Sequence, residues 1–273
     1  MMANGKGYIM RQLKSDTVVV KIGTSSLTYD NGKMNYRRIE KLVMVLSDLQ
    51  NQGKKVVLVS SGAIGVGVAK LNLPKRPTEV KEKQATAAVG QCQLMAIYDK
   101  FFAQYGKDVA QILITKYIID NDHSRHNAEN TFSTLLDMGV IPIVNENDVI
   151  STEEIEFGDN DTLSAYVARL VGADLLIILT DIDGYYSDNP KVNPDAKLIS
   201  DVCEITEEIK AKAGGAGSSM GTGGMYTKIL AAEIAKEDET TTVIAQGDDP
   251  EIIYQIIDGE TVGTAFHGRK ETV

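Results

Sequence analysis

Two lysines and a handful of acids and amides carry whatever chemistry this sequence performs. Lys21 interrupts the apolar run VVVKIG (18–23), where an unpaired ammonium would be costly. Lys228 closes the stretch MGTGGMYTK (220–228), behind glycines 221, 223 and 224. Glycines followed by a lysine usually cradle phosphate, yet the order is not the G-x-x-x-x-G-K-[ST] of a P-loop. SSGAIGVG (60–67) is not the dinucleotide fingerprint G-x-G-x-x-G either, and GAGSSMG (215–221) follows a helical pattern rather than a strand. A cation held in a strand, with a second behind a glycine loop, suits an anionic ligand. The bland alternatives are a lysine snorkelling from a strand end and glycines that only let elements pack closely.

The acids and amides gather after predicted strands. Asn145, Asn147 and Asp148 lie in NEND (145–148), and Thr180–Asp181 ends another apolar run. Asp159, Asn160 and Asp161 in GDND open a helical pattern. One such residue would suffice as an N-cap, and three in a row exceed that need. His123 and His126 are three apart, but no cysteine or third histidine lies near them to complete a zinc set. DIDG (181–184) is not an EF-hand, because its glycine falls too early and no glutamate closes the loop. Spacing assigns no Ser/His/Asp triad.

These residues need a frame. TVVVKI (17–22), KVVLVS (55–60), VAQILIT (109–115), VIPIVN (140–145), DLLIILT (174–180), TTVIAQ (241–246) and VGTAF (262–266) are predicted strands. Most are apolar throughout, as parallel strands covered on both faces are. Helices are predicted over 78–105, 121–138, 161–171, 202–213 and 225–238, and around Ile39, Leu42, Val43, Leu46 and Leu49, which repeat with helical period. The alternation predicts a doubly wound α/β sandwich, with ligands beyond the carboxyl ends of the strands. The polar stretches 147–160 and 182–201 interrupt it and are candidate flaps.

Of 273 residues, 43% are hydrophobic and 24% charged, ample for a large core. A net charge of −10 argues against nucleic acid or an anionic membrane as partner. The two cysteines form no framework, and the N-terminus has no apolar signal region. The expectation is a cytoplasmic protein.

VVVKIGTSSLT, SSGAIGVG, VNENDV, FGDNDTLSA, ILTDIDGYY and GTGGMYTK occur in the order found in the amino acid kinase family. The resemblance runs from about Thr17 to His267, so residues 1–16 are expected to be an N-terminal extension and 17–273 the kinase domain. It implies a three-layer αβα sandwich with a mainly parallel central sheet. Many relatives append a PUA domain, and the expectation here is the single-domain form without one; Glu239 stands where relatives commonly have glycine.

The branch it most resembles implies transfer of phosphate from ATP, with Mg²⁺, to the side-chain carboxylate of L-glutamate, the first step of proline synthesis. Lys21, Thr180, Asp181 and the loop Thr222, Gly223, Gly224, Met225, Tyr226, Thr227 and Lys228 would then hold the nucleotide. Ser60, Asp148 and Asn160 would hold glutamate, and Asp161 would orient the two lysines. Feedback inhibition by proline and assembly as a dimer or tetramer, with 78–105 a candidate interface, are implied by the same likeness. Alternatives are a kinase acting on N-acetylglutamate, aspartate or carbamate, and a non-catalytic sensor on the same fold.

A carboxylate is already ionised at neutral pH, so no general base is required. Catalysis would rest on alignment and on neutralising the charge of the phosphate in transfer.

Overall fold

Apolar β-branched runs become the inner strands of one sheet. In the computed structural model, residues 11–29, 32–150, 160–190, 192–214 and 224–268 are described. The strands are β1 (Thr17–Ile22), β2 (Lys55–Ser60), β3 (Val109–Ile114), β4 (Ile141–Glu146), β5 (Leu175–Thr180), β6 (Asp201–Val202), β7 (Thr241–Gln246) and β8 (Thr264–Phe266). Their spatial order is β3-β4-β2-β1-β5-β7-β8-β6. All pairings are parallel except β7 with β8.

The helices are α1 (Thr24–Leu27), α2 (Tyr36–Asn51), α3 (Ala63–Lys70), α4 (Val80–Gln104), α5 (Lys116–Asp120), α6 (Asp122–Asp137), α7 (Asn160–Val171), α8 (Glu207–Ala213), α9 (Met225–Lys236) and α10 (Ile252–Ile257). Strand alternation sends successive side chains to opposite faces. Val18, Val20, Ile22 and Leu58 pack against α2, α4 and α10, while Val19, Val57 and Val59 pack against α6, α7 and α9. The result is the three-layer αβα sandwich with a mainly parallel sheet that the sequence predicts.

Some expectations need correction. The helix predicted over 202–213 is a short strand, β6, followed by α8. Val202 is drawn into the sheet by β8, and the Thr206 side chain caps α8 by accepting from the Ile209 amide. The glycine-containing stretch after β2 forms the helix α3, which is not among the helix ranges the sequence predicts. Its neighbour α4 sets the reason for the glycines: a Cβ on Gly90 would lie 1.8 Å from the Ala63 carbonyl oxygen, and one on Gly67 would lie 2.1 Å from that of Thr86. Two helix backbones touch here, and only glycine permits it.

At Glu239 the backbone is left-handed (φ +61°) just past α9, so this chain places a glutamate in a conformation that favours glycine. Within the segment expected as an N-terminal extension, residues 11–16 lie against the domain. The Arg11 amide donates to the Gly259 carbonyl, and its guanidinium binds Asp201 and the carbonyls of Ser200, Val262 and Gly263.

Candidate active site

Lys21 follows Val19 by two residues on β1 and therefore faces the α7 and α9 layer. There it meets Asp161, the second residue of α7, and Lys228, the fourth residue of α9. The Lys21 Nζ lies 2.5 Å from Asp161 Oδ1, and the Lys228 Nζ lies 2.9 Å from Asp161 Oδ2. The Thr227 hydroxyl is 3.1 Å from the same Oδ2. All three charged groups are out of water: Lys21 is 5% exposed, Lys228 2% and Asp161 0%.

Burial alone would raise the Asp161 carboxyl. The two ammoniums outweigh it and hold the group well below the usual carboxylate range. Two cations and one anion give these three side chains a net charge of +1, which suits an anionic ligand.

The local backbone supports that reading. The helices α3, α7 and α9 begin at Ala63, Asn160 and Met225, each following a parallel strand or the connection after it, so their amide ends gather at the carboxyl edge of the sheet. Gly62, at φ +109°, turns the chain from β2 into α3. A Cβ on Gly23 would lie 3.7 Å from the Lys21 ammonium, an ordinary contact, so this turn runs directly beside the buried cation. Beside this turn a cavity of about 780 Å³ is lined by Thr24, Ser25, Thr28, Gly65, Asn72 and Arg76, among others.

Thr180 and Asp181 sit at the end of β5, the strand next to β1. The Thr180 hydroxyl donates to Asp181 Oδ1 at 3.0 Å, and the Asp181 side chain is exposed. Gly224, Met225, Tyr226 and Thr227 form the entry to α9 that carries Lys228. Thr222, Gly223, Asp159 and most of the flap expected over 147–160 lie outside the described residues.

Asp148 follows β4 and is half-buried. Asn160 donates from Nδ2 to Ser61 Oγ at 2.7 Å and to Asn145 Oδ1 at 2.9 Å. Ser60, by contrast, is 0% exposed, with its hydroxyl 2.8 Å from that of Tyr98 on α4, where burial pushes the phenol up. Ser61 is therefore the serine that meets Asn160. Its signal was legible in strand alternation: Val59 faces α7, so Ser60 turns to α4 and Ser61 returns to α7. Asn145 and Gln91, also part of this polar cluster, had no assigned role in the sequence reading. His123 and His126 are exposed on α6, each beside an asparagine one turn on.

Residues 16–246 match the Amino acid kinase family. The chain belongs to the amino acid kinase family. Among curated relatives, the glutamate 5-kinase of Clostridium perfringens is 55% identical over 96% of this chain and 99% of that protein. The glutamate 5-kinase of Clostridium acetobutylicum is 57% identical over 91% of this chain and 93% of that protein. Among solved structures, carbamate kinase from Giardia lamblia bound to AMP-PNP aligns with a TM-score of 0.67 at 18% identity, over 93% of this chain and 98% of that one. An isopentenyl phosphate kinase substrate complex aligns with a TM-score of 0.66 at 21% identity, over 92% of this chain and 100% of that one. Likeness at these identities speaks for the amino acid kinase fold. The family's use of ATP fits a centre built from two buried lysines.

Proposed function

We propose that this chain transfers the γ-phosphoryl group of ATP to the side-chain carboxylate of L-glutamate, giving L-glutamyl 5-phosphate and ADP. The observation that carries the proposal is the single carboxylate, Asp161, drawing Lys21 and Lys228 into one buried centre at the sheet edge. A glutamate side-chain oxygen attacks the γ-phosphorus, and the bond from that phosphorus to the β,γ-bridging oxygen breaks. The electron pair leaves with ADP. Lys21 and Lys228 counter the charge on the oxygens of the group in flight, while Asp161 holds their ammoniums in place before substrate arrives. Thr180, Asp181 and the residues opening α9 line the nucleotide side, and the Thr222–Gly223 stretch belongs to the same proposal.

On the amino-acid side, Asp148 is suited to the α-ammonium, with Asn160 and Ser61 beside it; Ser60 contributes from behind through its position on β2. The choice of glutamate over other family substrates is supported by relatives named glutamate 5-kinase at more than half identity across nearly the whole chain.

Among the described residues no group of three or more potential metal ligands gathers. Asp161 is committed to two lysines, so these residues do not form a protein cage for Mg²⁺, and no step is assigned to one. The ion would enter on the phosphates of ATP. Inhibition by proline, assembly as a dimer or tetramer and a cytoplasmic location complete the proposal. Among the described residues, no helix is long and apolar enough to cross a membrane.

The test is an ATP-dependent assay with hydroxylamine to trap the acyl phosphate, run on glutamate, N-acetylglutamate, aspartate and carbamate, with and without proline. Hydroxamate formed from glutamate above the others is the expected result. Turnover with another acceptor, or binding of glutamate and ATP with no product, would replace the proposal.

A further inference from the structure

We propose that Gln91 is a positioning residue that sets the hydrogen-bond polarity of the amino-acid pocket through a chain of three amides; this rests on the assignment of Asn160 to that pocket. Gln91 lies on α4 and is 7% exposed. Its Oε1 accepts from Asn145 Nδ2 at 2.9 Å. Asn145 Oδ1 then accepts from Asn160 Nδ2, also at 2.9 Å. The second N–H of Asn160 goes to Ser61 Oγ.

Each amide has a donor end and an acceptor end, so the orientation of one dictates the next. Gln91 presents an oxygen, and Asn145 must answer with its NH₂ and turn its own oxygen to Asn160. Asn160 must spend both N–H groups inside the cluster. The end left for a ligand is Oδ1, an acceptor, which suits the α-ammonium of an amino acid. Ser61, accepting from Asn160, keeps its own proton for a carboxylate oxygen.

The last link is the state of Gln91 itself. Its Nε2 is buried and has no hydrogen-bond partner among the described residues. A side chain that served packing alone would avoid that cost. The acceptor end of Gln91 is therefore the part in use. Without it, Asn145 is free to rotate by half a turn. Asn160 would then show an NH₂ group where the substrate brings an ammonium.

Steady-state kinetics of the full chain test this with Gln91→Met, which keeps the size and removes the amide, and Gln91→Glu, which keeps an acceptor. Gln91→Met should raise the KM for glutamate about tenfold or more, as loss of a hydrogen bond to a charged group would. The KM for ATP should stay at the wild-type value. Gln91→Glu should recover most of the loss. The preference for glutamate over glutarate, which lacks the ammonium, should shrink in Gln91→Met, an outcome that loose packing would not produce. Should Gln91→Met fail to fold, Asn145→Ala cuts the same chain one link on and should show the same selective rise.

An unchanged glutamate KM in a folded Gln91→Met variant would overturn the inference. So would equal damage from Gln91→Glu, or KM values for both substrates rising in step. Wild-type protein that does not phosphorylate glutamate would instead overturn the functional assignment beneath it.

Discussion

Replacing Asp161 by asparagine tests the centre of the site most directly. Asparagine fills the same space, so no cavity forms and the change is electrostatic. Two ammoniums, 5% and 2% exposed, would lose the carboxylate that, among the described residues, pairs with both at 2.5 and 2.9 Å. Removing one partner of a buried ion pair costs roughly 3–5 kcal/mol, because the charge left behind remains desolvated. For a domain of this size each kcal/mol lowers Tm by about 2–4 °C, so the expected fall is roughly 6–20 °C. Thermal unfolding followed by circular dichroism at neutral pH reads it. ATP should raise the Tm of Asp161→Asn by more than that of wild type, since its phosphates replace the missing negative charge. Adding Lys21→Met should recover part of the lost stability, because it removes one of the stranded cations. A melting temperature within about 2 °C of wild type would refute the claim that one carboxylate holds both lysines in a desolvated centre.

Lys228→Ala should lower kcat by at least about a hundredfold, since a charge contact made in the transition state contributes roughly 3 kcal/mol; near-normal turnover by the folded variant would remove Lys228 from the reaction. Gly90→Ala should destabilise the protein by about 1–3 kcal/mol or more, measured by urea unfolding, because its Cβ would sit 1.8 Å from the Ala63 carbonyl oxygen and force α3 and α4 apart. Asp161 also sets a pH dependence. Burial raises its carboxyl, but Lys21 and Lys228 prevail and depress it, so its contribution is present above the unfolded carboxyl value of about 3.9 and is lost as pH falls toward the lower folded value. Wild type should therefore lose more stability than Asp161→Asn on acidification below about pH 4, and parallel curves would count against the pairing.

Much of the frame was written locally. The strands at 17–22, 55–60 and 241–246 agree residue for residue with their apolar runs, because a strand covered on both faces needs no partner-specific signal beyond continuous β-branched side chains. The lysine inside β1 and the glycines before Lys228 pointed to an anion site for an equally local reason: each is costly or permissive where it stands.

Other features had no local cause. Val202 becomes a strand residue because β8 offers it hydrogen bonds, and Gly67 and Gly90 are required because the successive helices α3 and α4 touch through their backbones. Strand alternation puts Ser60 and Ser61 on opposite faces, but which of them meets Asn160 depends on which face of β2 meets α7.

By itself, then, the amino-acid order determined the alternating elements, the two conspicuous cations and the family pattern. The family pattern already implied that Asp161 orients the two lysines; only tertiary structure decided how deeply the three groups are buried together and that Gln91 would stand behind Asn145 and Asn160. An ion pair or an amide chain between distant segments exists only after the sheet has brought their ends together, and its strength comes from the burial that the packed layers create.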